Sequence, residues 1–134
     1  MADIRTVTPD FAVAPQLALA DIAEARARGF TLVINNRPDG ESPDQPSGAE
    51  MEAAARAEGL DYLAVPVVGR PSDAQVAAVL EAVKSAKGPV IAFCRSGTRS
   101  IVTWALGEAQ RGGRSRADLV GLGQAAGYDL SGVV

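Results

Sequence analysis

Short apolar runs, punctuated by glycine and proline, alternate along this chain with longer segments that are apolar on one face only. Thr31-Leu32-Val33-Ile34-Asn35 is apolar almost throughout, the pattern of a strand covered on both sides. Pro89-Val90-Ile91-Ala92-Phe93 repeats it, and Leu60 to Val67, ended by Pro66 and Gly69, predicts a third strand. Asp10 to Val13, with Phe11-Ala12-Val13 as its apolar part, predicts a short edge strand. Between these lie helical patterns. Leu19 to Arg28 places Ile22 and Ala25 on one face and stops at Gly29. Ala49 to Glu58 is closed by Gly59. Ser72, with Gln75 in the capping-box position, starts a helix that runs to Ala86 and is stopped by Gly88. Ser100 to Gln110, ended by Gly112-Gly113, and Arg116 to Ala126, capped by Ser115, complete the series.

This alternation predicts an α/β fold: a three-layer arrangement with a mostly parallel sheet of four to five strands and helices on both faces. No linker, repeat or low-complexity tract interrupts it, so residues 1–134 are expected to form one domain. Ligands of such sheets bind beyond the carboxyl ends of the strands. The Pro89 to Phe93 run delivers the chain to Cys94 at such an end.

Composition narrows the chemistry. The net charge is -3 and the 13 basic residues form no run, which argues against nucleic-acid partners. No apolar stretch approaches the ~20 residues of a membrane span. The N-terminus lacks a basic segment followed by an apolar one, so a cytoplasmic location is expected. There is no histidine, which argues against Ser-His-Asp triads, Cys-His dyads and most zinc sites. There is one cysteine, so no internal disulfide and no Cys-x-x-Cys pair can form. No metal or cofactor is expected, and the chemistry is left to one thiol, carboxylates, arginines, hydroxyls and backbone amides.

Those groups converge in Cys94-Arg95-Ser96-Gly97-Thr98-Arg99-Ser100, between the apolar strand and an apolar-faced helix. The amides of such a loop can cradle an anion, and the helix N-terminus adds positive potential. Gly97 permits φ > 0 and close backbone approach. Arg99 offers a planar fork for an oxyanion. The same field favours the thiolate of Cys94 at neutral pH, with Ser100 or Thr98 as a hydrogen-bond donor to it. Cys94 and Arg99 are therefore the catalytic candidates. Arg95, Ser96, Gly97, Thr98 and Ser100 are the substrate-binding ones. Arg37, at a strand end, either reaches the same face or pairs with Asp39.

The loop resembles the active-site loop of rhodanese-type sulfurtransferases. The rest of the chain is similar to the beta-lactamase-hydrolase-like family, through Val33-Ile34-Asn35-Asn36-Arg37-Pro38-Asp39-Gly40-Glu41, Gln45-Pro46, Tyr62-Leu63-Ala64-Val65-Pro66-Val67 and Gly88-Pro89-Val90. The resemblance implies a tyrosine/dual-specificity-phosphatase-like fold and two candidate activities, phosphate hydrolysis and sulfur transfer. It also implies a link to persulfide-handling metalloenzymes, which the lack of histidine places on a separate chain.

Two features favour sulfur transfer. Tyrosine-phosphatase-type loops place five residues between Cys and Arg and usually carry His before the Cys. Here four residues, Arg95 to Thr98, intervene, and Phe93 precedes the Cys. A phosphatase also needs a general acid. The resemblance puts it on the loop Val68-Gly69-Arg70-Pro71-Ser72-Asp73, where Asp73 is the nearest carboxylate and also suits a helix first turn. Asp39, Glu41 and Asp44 are weaker candidates. The favoured expectation is a sulfurtransferase passing sulfur from a sulfane donor, through a Cys94 persulfide, to a thiol acceptor. The alternative is a phosphatase acting through a Cys94 phosphocysteine, and a third reading is a non-catalytic oxyanion-binding or thiol redox-sensing module. Trp104 and Tyr62 are expected to pack, Asn35 and Asn36 to satisfy turn backbone, and Arg70 to be a weak substrate contact.

Overall fold

The computed structural model describes residues 2–134. Its ten elements run β1 (Arg5–Thr8), β2 (Phe11–Ala14), α1 (Asp21–Ala27), β3 (Leu32–Asn35), α2 (Gly48–Ala57), β4 (Asp61–Ala64), α3 (Asp73–Ser85), β5 (Val90–Phe93), α4 (Thr98–Arg111) and α5 (Arg116–Ala126). The five strands form one sheet in the order β1-β2-β5-β3-β4. Only the β1–β2 pair is antiparallel; the others are parallel, as the alternating pattern predicts.

Period-two alternation builds the three layers. Phe11, Val13, Leu32, Ile34, Val90 and Ala92 face the side covered by α3, α4 and α5, among Val79, Ile101, Trp104 and Leu119. Ala12, Ala14, Val33, Ile91 and Phe93 face the side covered by α1 and α2, among Ile22, Ala25, Met51 and Ala55. Trp104 stacks on Phe11 with ring centroids 5.1 Å apart, the packing role expected of it.

Two expectations need correction. The Phe11 segment is not an edge strand: all four residues of β2 are buried between β1 and β5. The edge is β1, whose Arg-Thr-Val-Thr sequence carries one aliphatic residue and so leaves no apolar run to detect. At the other edge β4 ends at Ala64, short of Val67. Its half-exposed pattern reflects a strand with a neighbour on one side only.

The caps follow the sequence signals. Ser72 and Gln75 form a reciprocal capping box, and the Ser115 hydroxyl accepts from the Asp118 amide at 3.1 Å. A second capping box, Ser47 with Glu50, starts α2. The register aligns Ala14, Phe93, Asn35 and Ala64 in one row across the sheet. Everything that follows these four residues in the chain emerges on the same side, and Cys94 is one of them.

Candidate functional site

Cys94 is fully buried, yet it belongs to neither apolar cluster. It lies beneath the loop that it begins. The Gly97 amide donates to its sulfur at 3.1 Å. Gly97 adopts φ 90° as the N-cap residue of α4, a left-handed conformation that L side chains rarely take. Having no side chain, it makes no cap hydrogen bond to the first turn of α4, where the Thr98 amide donates to the Ser96 hydroxyl at 3.4 Å. Arg95, Ser96 and Thr98 line the exposed outer edge, where the Ser96 and Thr98 hydroxyls bond to each other at 3.0 Å. The Arg95 carbonyl accepts from the Gln16 amide at 3.2 Å, which ties the loop to the end of β2.

Arg99 is held from the opposite side. Its Nη1 donates to Glu41 Oε2 and to the Val67 carbonyl, and its Nη2 to Glu41 Oε1, each at 2.8 Å. A guanidinium has five N–H donors. These contacts use three, all at the tip of the fork, and leave Nε–H and one Nη2 proton as a paired edge for an anion. Glu41 hydrogen bonding raises the pKa of Arg99 against the cost of burial, and the charge of nearby Cys94 acts in the same direction. Arg37 is buried and donates from Nε to the same Glu41 at 2.9 Å and from Nη1 to Gln16 at 3.0 Å. Its partner is therefore Glu41 rather than Asp39, and through Glu41 it reaches the Cys94 face.

Ser100 is buried, and its hydroxyl donates to Asn36 Oδ1 at 2.8 Å rather than to the Cys94 sulfur. The Asn36 side chain passes the link to the Val65 carbonyl at 3.0 Å. α4, β3 and the segment after β4 are thereby locked together at the site. Asn35 accepts from the Arg37 amide, the turn role expected of it.

Glu41, Asp39 and Asp44 are engaged as acceptors. Glu41 is held down to about 2, chiefly by the Arg99 hydrogen bond and also by Arg37, against the opposing effect of burial. Asp39 accepts the Gly48 amide at the start of α2 at 2.7 Å. Asp44 is lowered by the Ser42 hydroxyl first. Asp73 is exposed as the first residue of α3, and no hydrogen bond joins it to residues 94–99. Arg70 is exposed on the same loop.

The sequence offers Glu41 only as a weaker acid candidate; its pairing with Arg99, 58 positions away, leaves no local sign. Sequence reasoning missed Tyr128, whose hydroxyl donates to the Ser96 carbonyl at 2.8 Å, and Gln16. A cavity of about 210 Å³ adjoins Arg37, between Asp39, Tyr62 and Pro66. Another, of about 430 Å³, lies at the opposite end of the sheet by Lys84, Lys87 and Glu108. Lys84 and Arg111 there close the last turns of α3 and α4, where the helix dipole favours cations. Among the described residues no cluster of His, Cys, Asp or Glu could hold a metal ion, and no helix is long and apolar enough to cross a membrane.

The family model described as "Beta-lactamase hydrolase-like protein, phosphatase-like domain" matches residues 3–111. A beta-lactamase hydrolase-like protein of Agrobacterium fabrum (strain C58 / ATCC 33970) is 40% identical over 119 residues, covering 88% of this chain and 28% of its own. One of Xylella fastidiosa (strain Temecula1 / ATCC 700964) is 42% identical over 108 residues, 80% of this chain and 25% of its own. The chain thus spans about a quarter of the length of these relatives. A protein of Neisseria meningitidis Z2491, provisionally named a phosphatase, superposes with a TM-score of 0.86 at 28% identity, covering 98% of this chain and 94% of that one. P. aeruginosa TpbA superposes with a TM-score of 0.70 at 19% identity, over 96% and 76% of the two chains, a likeness of fold.

Proposed function

The chain belongs to the phosphatase-like domain family of the beta-lactamase hydrolase-like proteins, and from that premise we propose that Cys94 is its nucleophile and that the reaction is sulfur transfer. The observation that carries the choice is the state of the neighbouring carboxylates. Expelling an alkoxide from a phosphocysteine-forming step calls for a protonated acid in reach. Glu41, the carboxylate that touches Arg99, is held ionised by its two arginines. Asp39 and Asp44 are spent on the Gly48 amide and the Ser42 hydroxyl, and Asp73, exposed at the start of α3, has no hydrogen bond to residues 94–99. Sulfur transfer from a donor with a good leaving group needs no such acid.

In this reading the Cys94 thiolate attacks the outer sulfur of a sulfane donor such as thiosulfate. The donor's S–S bond breaks, sulfite departs with the electron pair, and a Cys94 persulfide remains. The loop amides and the open edge of Arg99 balance its negative charge. A thiolate or cyanide then attacks the outer sulfur, and Cys94 returns as thiolate. No oxidant, reductant or second cysteine is consumed, which suits a chain with one thiol.

Phosphatase action is the second reading, favoured by the family description and the phosphatase-like neighbours. Mass spectrometry separates the two. After thiosulfate treatment, one extra sulfur on Cys94, absent in Cys94→Ser, together with sulfur transfer to cyanide, is expected. Aryl-phosphate turnover at enzymatic rates, lost in Asp73→Ala as well as in Cys94→Ser and without any persulfide, would establish the phosphatase instead.

A further inference from the structure

We propose that Tyr128 is a positioning residue for the Cys94 loop, its hydroxyl fixing the Ser96–Gly97 peptide so that the Gly97 N–H points at the sulfur. The inference rests on Cys94 being the nucleophile and adds a residue outside the family match, which ends at residue 111.

Two hydrogen bonds meet on one peptide unit. Tyr128 Oη donates to the Ser96 carbonyl at 2.8 Å, and the Gly97 amide donates to Cys94 Sγ at 3.1 Å. A trans peptide is planar and directs its C=O and N–H to opposite sides. Anchoring the carbonyl therefore aims the amide. The anchor matters because glycine takes either sign of φ with little cost. At Gly97, φ 90°, a rotation of the 96–97 peptide would present the carbonyl oxygen to the sulfur and replace a donor by an acceptor. Tyr128 can make its bond in one of the two orientations only. The contact is close enough that a β-carbon on Gly97 would overlap the Tyr128 hydroxyl.

Tyr128 is itself fixed. Its amide donates to the Gly123 carbonyl at 2.8 Å, just past the left-handed Gly127 that ends α5. The Arg5 guanidinium lies 5.2 Å from the ring centroid and donates to the Ala126 carbonyl at 3.3 Å. β1, missed in the sequence, and α5 thus both act on the nucleophile's loop.

Tyr128→Phe keeps the ring and removes the donor. The readout is the rate of Cys94 alkylation by iodoacetamide at a pH one unit below the wild-type midpoint of its own pH profile divided by the rate at pH 9, measured on protein shown to be folded by its thermal melt. The ratio is expected to fall about threefold to tenfold, the range of one hydrogen bond, with a similar fall in the rate of persulfide formation from thiosulfate. Tyr62→Phe, which loses a comparable bond from Asn35 Nδ2 at 3.0 Å, serves as control and should leave the ratio unchanged. A role in stability alone would move the melt and not the ratio. Arg5→Met, which loosens the ring but keeps the hydroxyl, should give a smaller fall. An unchanged ratio in Tyr128→Phe, or in Arg5→Met if Tyr128→Phe does not fold, overturns the proposal. Failure of wild-type protein to acquire sulfur would overturn the sulfur-transfer reading alone, because the alkylation ratio does not depend on which reaction follows.

Discussion

Glu41 decides what Arg99 can do. Its two oxygens take the tip of the fork, and Arg37 braces it from behind, so that one carboxylate serves two guanidinium groups. Replacing it with glutamine would leave a buried Arg37 without its counter-charge and turn an amide donor toward Arg99. Glu41→Gln is expected to slow persulfide formation more than tenfold, read as sulfite release from thiosulfate. Its stability effect should depend on pH in a defined way. The folded-state value of about 2 lies below the ordinary 4.5, so the ion pairs contribute fully above about 4.5 and are lost as pH falls through 2. Solvent around Glu41 keeps the contribution at neutral pH to about 1 kcal/mol. The melting-temperature gap between wild type and Glu41→Gln should hold from pH 7 to 5 and close toward pH 2. A gap that widens on acidification would contradict the assignment.

At the scale of elements, α4 begins at the loop and carries the reactive end of the chain into the core. Its N-cap is Gly97, where the other capped helices use Ser47, Ser72 and Ser115. A serine in that place would answer the first-turn amides from within and close the cradle. The contrast yields a separable prediction. Ser47→Ala should lower stability by about 1 kcal/mol, a drop of roughly 2–5 °C in Tm, and leave Cys94 alkylation as it was. α2 lies behind the site, joined to it through the Gly48 amide on Asp39, and its Ser47–Glu50 cap makes no hydrogen bond to residues 94–99. If Ser47→Ala changed the alkylation rate at neutral pH, the loop from Arg37 to Gly48 would be coupled to Cys94 more tightly than these contacts imply.

In the whole molecule the two sides of the sheet are unequal. The α3–α5 side holds the Phe11–Trp104 stack and supports the helix that leaves Cys94. Trp104→Ala should cost about 3–5 kcal/mol, measured by chemical denaturation, and should slow sulfur transfer only as far as it unfolds the protein. Activity lost from fully folded Trp104→Ala would mean that packing under α4 sets the loop geometry as well. The site itself gathers the ends of β2, β3, β4 and β5 with the C-terminal tail, through Gln16, Asn36, Val67, Cys94 and Tyr128. No single element could hold Cys94 in this environment.

The amino-acid sequence by itself determined the layered α/β fold and the place of Cys94 at the end of a buried strand. Both depend on local patterns: apolar runs for β3 and β5, one-faced helices, Ser72 and Ser115 caps, and a lone cysteine followed by Gly97 and Arg99. Only the tertiary structure decided that Glu41 pairs with Arg99, that Ser100 bonds Asn36 and not the sulfur, and that Tyr128 sits on the loop. These pairs lie 58, 64 and 32 residues apart. Periodicity and capping act within a turn or two of chain, whereas such pairs form only when parallel strands bring distant loops to one edge of the sheet. For the same reason β1 went unseen: its place is secured by pairing with β2 and by α5 above it, not by an apolar run of its own.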